Sequence, residues 1–211
     1  VSEVKFVRIK GRIVPIRKKD NGANKAQVAS GAAIATYGAT SKGFNAKTFS
    51  AKVFRGPGIS LVSVSDKKRF LPRAFAITRK NSVGGEHVMY ASNLFTKSNK
   101  GWGKKLFATV QANAISKKRK NISGTVISNE ALRFMKKENS KFFAHGREIN
   151  YASAKKVIKR GAFVKGMTQI NPKNRSFVAL GIKGAYKPNP LIISSGLLLA
   201  GIGMASKGRD K

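Results

Sequence analysis

Cysteine is absent from the 211 residues, which excludes a disulfide framework and a thiolate zinc site. Histidine occurs only twice, as His87 and His145. Two residues that far apart argue against a histidine metal cluster, and each reads as a structural or surface residue. Accordingly no metal site and no catalytic residue is assigned from the sequence. Acidic residues are scarce, with 8 Asp+Glu against 43 Lys+Arg. None falls between Asp20 and Asp66, between Glu86 and Glu130, or between Glu148 and Asp210. Val1 to Arg17 mixes charge with short apolar runs, so no signal peptide is read there. Long apolar runs are also missing. The longest candidate, Leu191–Ala205, is 15 residues. As a helix it would span ~22 Å, short of a ~30 Å hydrocarbon layer.

What the chain has in excess is positive charge, a formal +35. Such a surface repels itself, and a phosphate backbone would relieve it while releasing counterions. The candidate nucleic-acid contacts are the clusters Arg17-Lys18-Lys19, Lys67-Lys68-Arg69, Lys117-Lys118-Arg119-Lys120 and Lys155-Lys156. No base-reading module is visible, so the expected partner is nucleic acid bound without sequence specificity. A hydrophobic content of 41% with 13 Phe supplies material for a core, which excludes a wholly disordered basic tail.

Along the chain, Val4 to Arg17 is dense in β-branched residues, and Gly11 suggests a turn between two short strands. Ala26 to Thr40 is rich in Ala, Gly and Ser, and reads either as a small-residue helix or as a connector. Strands are expected at Ile59–Val64, Arg73–Thr78, His87–Phe95 and Asn121–Ile127. Helices are expected at Gly103–Ser116, after a cap at Asn129, and at Tyr151–Arg160. Thr168–Ile170 and Phe177–Leu180 flank a turn at Asn171–Asn174. The division implied is a basic N-terminal arm with a small-residue segment at 1–50, an α/β domain at 51–165, and a C-terminal extension at 166–211 holding the apolar segment 191–205.

Between His87 and Phe142 the order is strand, Gly loop, helix, strand, helix, and this resembles the core of the GCN5-related N-acetyltransferase (GNAT) fold. The loop reads Ser98-Asn99-Lys100-Gly101-Trp102-Gly103-Lys104, and Asn129 to Lys137 looks like the family's late helix. The resemblance implies a GNAT-like mixed sheet with packed helices, extended by the arm and the apolar segment. In the family this loop aims backbone N–H groups at the pyrophosphate of acetyl-coenzyme A, which would put an anion or cofactor at Lys100, Gly101, Gly103 and Lys104. The motif is broken in two places. Ser98 stands where the family has Gln or Arg. Met135 stands where it often has the Tyr that protonates the leaving thiolate. Glu86 is the one carboxylate near enough in sequence to serve as a base. The expectation is a fold kept and a chemistry lost, with no cofactor; acetyl-coenzyme A enters only if the domain is an active N-acetyltransferase.

The Arg-Ile-Lys-Gly-Arg-Ile-Val-Pro-Ile-Arg core of the first segment also resembles small basic proteins of tailed bacteriophages. This likeness implies an internal or structural virion protein. It would contact packaged DNA and other virion proteins, touch membrane through Leu191–Ala205 on ejection, and reside in the virion after assembly in the host cytoplasm. The alternatives are a ribosomal protein binding rRNA and an active acetyl-coenzyme A-dependent N-acetyltransferase.

Overall fold

The computed structural model describes residues 4–9, 12–17, 22–40, 42–45, 48–66, 71–94, 101–170, 182–185 and 187–205. The expected strand at 177–180 and turn at 171–174 lie outside them. The opening hairpin forms as its β-branched content suggests: β1 (Val4–Ile9) pairs antiparallel with β2 (Arg12–Arg17). Ala26–Thr40, for which the sequence leaves helix and connector both open, is helical as far as Ala39, within α1 (Gly22–Ala39).

One ten-stranded sheet organises the rest, in the order β10-β9-β11-β8-β7-β6-β5-β4-β3-β12. Its first half is an antiparallel meander: β3 (Lys42–Asn45), β4 (Phe49–Arg55), β5 (Ile59–Asp66), β6 (Ala74–Lys80) and β7 (Glu86–Asn93). From β7 the chain enters α2 (Trp102–Ser116) and returns in β8 (Asn121–Val126), parallel to β7. A parallel return needs such a crossover, whereas antiparallel neighbours close through short turns. Then come α3 (Asn129–Lys137), the hairpin β9 (Lys141–Ala144) and β10 (Arg147–Ile149), α4 (Tyr151–Lys159), and β11 (Val164–Gln169), which inserts between β8 and β9. β12 (Ile182–Ala185) pairs with β3, and α5 (Pro190–Ala205) follows.

Period-two alternation sends side chains to two separate cores. Ala51, Val62, Val64 and Ala76 meet Leu106 and Val110 of α2, and Leu132, Met135 and Ile158 extend that core across α3 and α4. Residues of the opposite parity, Leu61, Phe75, Ile77 and Tyr90, pack against Ile34 and Tyr37 of α1 and Ile192 of α5. The helix ends follow from local polar residues. Ser128 accepts from the Ala131 N–H at 3.2 Å to start α3, and Asn150 accepts from the Ser153 N–H at 2.8 Å to start α4. The cap of α3 is thus Ser128, one residue before the expected Asn129.

Segments 1–50 and 166–211, read from sequence as arm and extension, contribute α1 and α5 to the face opposite α2. Their contact is backbone on backbone. A Cβ on Gly196 would lie 2.2 Å from the Ala35 nitrogen, and one on Gly31 would lie 2.4 Å from the Ala200 nitrogen. Only glycine allows this approach. Among the described residues no helix is long and apolar enough to cross a membrane.

Candidate functional site

Among the described strands, β7 and β8 are the one parallel pair. They are joined only at Glu86–Ile122, His87–Ser123 and Val88–Gly124, and then part. Beyond that point β7 stays with β6, and β8 stays with β11. A register shift against β6 accompanies the parting: Thr78 opposes Val88 and Ile77 opposes Tyr90, leaving Met89 unpaired as a bulge. A bulge of this kind bends the strand and sharpens its twist.

At the same end of the sheet α2 begins. Its N-cap is Gly101, held at φ 74°, a left-handed conformation that glycine adopts without strain, and no side-chain hydrogen bond caps the helix there. α3 and α4 have side-chain caps; α2 does not. Cβ atoms built on Gly101 and Gly103 would meet nothing within 4 Å. Lys104 is exposed beside them. Gly101, Gly103 and Lys104 are all exposed, so the positive end of the helix dipole lies at the surface of the described residues. Trp102 is buried in the core, with the Lys105 ammonium 4.2 Å from its ring centroid. Of the sequence-derived anion residues, Gly101, Gly103 and Lys104 come together here, and Lys100 lies outside the described residues.

Glu86, the sequence's candidate base, is at the wrong end. It opens β7 opposite Ile122, where α2 finishes, a helix length of ~22 Å from Gly101. It is fully buried, receives hydrogen bonds from Thr78 Oγ1 and from Lys117 Nζ at 3.0 Å, and pairs with Arg119 Nε at 3.4 Å. Lys117 also donates to Ser60 Oγ at 2.5 Å. These groups form a clamp between the sheet and the end of α2. The basic run is thereby split: Lys117 and Arg119 serve the buried carboxylate, while Lys118 and Lys120 are exposed. Lys155 and Lys156 are exposed on α4. Arg17 ends β2, and Lys18, Lys19, Lys67, Lys68 and Arg69 lie outside the described residues.

The residue that sequence reading passed over is His87. It follows Glu86, so its side chain takes the opposite face of the sheet from α2. It sits one pair below the last β7–β8 contact. Nδ1 lies 3.1 Å from Ser123 Oγ, which also receives Asn81 Nδ2 at 3.3 Å. Burial, and then the charges of Arg79 and Lys165, lower its pKa below the ordinary histidine value of 6.5. The imidazole is consequently neutral near pH 7. No pattern in the sequence flags it, because Arg79, Ser123 and Lys165 reach it from three other strands. His145, by contrast, is exposed at φ 49° in the β9–β10 turn.

Met135 supplies no proton. It is buried, and a Cβ on Gly166 would fall 2.7 Å from its methyl, so the thioether fills the space over β11. Among the described residues no group of three or more His, Asp or Glu side chains could hold a metal ion.

No protein-family model matches the chain, and no curated protein matches it. Solved structures do. A cAMP-binding acyltransferase from Mycobacterium smegmatis, in a point-mutant form, aligns at TM-score 0.44 and 11% identity, over 88% of this chain and 63% of that one. A protein from Desulfovibrio desulfuricans ascribed to the GNAT family of acetyltransferases aligns at TM-score 0.41 and 11% identity, over 54% of this chain and 70% of its own. A third, from Bacillus anthracis, is ascribed streptothricin acetyltransferase activity and is in complex with acetyl coenzyme A. It aligns at TM-score 0.40 and 11% identity, over 79% and 82%. At these values the likeness carries no argument about what this chain does. The strand–Gly loop–helix–strand–helix order around a parting parallel pair is GNAT-like, as the resemblance implied.

The virion reading is corrected. The solved structures named above are described as acyl- or acetyltransferases, and nothing in the comparisons points to a virion protein. Of the motif behind that reading, Arg8, Ile9 and Arg12–Arg17 pair as the β1–β2 hairpin, and the apolar segment forms α5, packed on α1.

Proposed function

We propose that this chain binds a coenzyme A thioester where β7 and β8 part, and transfers its acyl group to an amine. One observation carries the reading. The parallel pair separates at the same end of the sheet at which α2 presents an uncapped N-terminus behind Gly101 and Gly103. Parted strands leave backbone N–H and C=O groups on their facing edges, which the amide-bearing pantetheine arm can pair. The helix end, with Lys104 beside it, suits the pyrophosphate.

For transfer, the amine nitrogen attacks the thioester carbonyl, the C–S bond breaks, and the amine loses a proton. His87 suits that proton. In the tautomer whose Nδ1–H donates to Ser123 Oγ, Nε2 keeps its lone pair, and the lowered pKa favours the neutral ring. The thiolate takes its proton from water, since Met135 has none to give. A general base of this kind contributes about 10²- to 10⁴-fold.

The test mixes purified protein with acetyl-coenzyme A and a panel of amines, and follows free thiol with a disulfide dye. The chain has no cysteine, so it adds no background. Multiple turnover is expected, reduced about 100-fold or more in a folded His87→Gln variant. Absence of both turnover and coenzyme A binding in the native protein would overturn the proposal.

A further inference from the structure

The outer face of α5 is unlike the rest of the surface. Leu191, Leu198 and Ile202 form one exposed ridge along the helix, at 79%, 67% and 51% exposure, and Leu197 and Met204 are exposed further round the same helix. The helix cannot turn these side chains inward, because Gly196 and Ala200 on its other face are seated against the backbone of α1. Two serines interrupt the ridge, yet neither needs water. Ser194 Oγ donates to the Pro190 carbonyl at 2.9 Å and Ser195 Oγ to the Leu191 carbonyl at 2.8 Å. Removing solvent from this face strands no side-chain donor. No charged residue occurs between Lys187 and Lys207, and beyond each end the charge is mostly positive, with Lys183 on one side and Arg209 and Lys211 on the other.

We propose that this face of α5 docks in the plane of an anionic lipid surface. The charge selects that occupant. A second copy would bring two bodies of formal charge +35 together, whereas an anionic bilayer attracts each of them. The geometry sets the mode. A 16-residue helix is ~24 Å long and is locked along one side, so it lies at the headgroup boundary with its Leu/Ile ridge inserted and does not span. The inference does not depend on the acyltransfer reading, since α5 and the mouth between β7 and β8 are separate features.

The experiment sediments the full chain with vesicles of phosphatidylcholine alone, or mixed with phosphatidylserine, at about 0.1 M salt. Native protein should bind the mixed vesicles and largely ignore the neutral ones. A double variant, Leu198→Gln with Ile202→Gln, changes neither charge nor the α1 contact, and should bind roughly tenfold more weakly. A dye on Leu198→Cys, the only thiol such a variant has, should shift to the blue on the mixed vesicles. Equal binding by the double variant, or a dye that does not shift, would show mere electrostatic adhesion and overturn the proposal. So would native protein that binds no vesicle, and so would a native dimer that the double variant dissolves.

Discussion

Two glycines on α5 should respond in opposite directions to the same substitution. Gly201→Ala meets open space, with nothing within 4 Å of the added carbon. It should gain the helix-propensity difference of about 1 kcal/mol. Gly196→Ala gains the same propensity but places its Cβ 2.2 Å from the Ala35 nitrogen, 2.6 Å from the Gly31 oxygen and 2.7 Å from the Ala35 Cα, where real contacts essentially never fall below 3.0 Å. All three obstacles are backbone, so no side chain can swing aside and the helices themselves must separate. Overpacking of this sort costs about 1–3 kcal/mol, and a rigid neighbour puts it at the upper end. The net loss is about 2 kcal/mol, and the two variants should differ by about 3 kcal/mol. For a chain of this size that corresponds to a gain of about 2–4 °C for Gly201→Ala and a loss of about 4–8 °C for Gly196→Ala. Urea unfolding followed by circular dichroism reads both. Equal stabilisation by the two would refute the close α1–α5 crossing, and with it the rigid seat that holds the apolar ridge outward.

Glu86→Ala leaves Lys117 and Arg119 without their buried partner; because each is about a fifth exposed and can turn to water, the cost should be about 3 kcal/mol, near the low end for broken buried pairs. Coenzyme A binding should survive in that variant, and turnover abolished at unchanged melting temperature would instead identify Glu86 as the base. His87 has a pKa lowered in the fold, so its contribution to stability is full above about pH 6.5 and is lost as pH falls through the folded value. His87→Gln should flatten the part of the stability–pH curve that begins below 6.5, which pH-dependent urea midpoints would measure. Any duplex binding driven by surplus charge should lose about 2 units of salt slope when Lys155 and Lys156 are both replaced by Ala; replacing Lys117 and Arg119 should mainly lower the melting temperature.

Regular local patterns were readable without coordinates. The 3.6-residue spacing of Leu106, Phe107, Val110 and Ala114 locates α2, and the strand-like stretches Ile59–Val64, Arg73–Thr78, His87–Phe95 and Asn121–Ile127 locate β5, β6, β7 and β8. What could not be read was anything set by approach between distant segments. Gly31 and Gly196 look like flexible punctuation until Ala35 and Ala200 are seen against them, so the contact between the small-residue segment and the apolar segment 191–205 is not legible in the sequence. Short β9 and β10 lack a run long enough to stand out. At the site one residue of parity separates Glu86, the carboxylate the sequence singles out, from His87, which it reads as structural or surface. Glu86 points to the α2 side, into Lys117 and Arg119, while His87 points to the other side, among Arg79, Ser123 and Lys165. Sequence proximity to the Gly loop favoured Glu86; the direction of β7 places it a helix length away.

Hydrogen–deuterium exchange with and without coenzyme A tests the central claim most directly, because it locates a polyanion on a chain where surplus charge could hold one anywhere. The account predicts slowed exchange confined to the start of α2, residues 101–106, and to the facing edges of β7 and β8 beyond Val88 and Gly124. Protection spread over the exposed lysines of α4, or none at all, would contradict it.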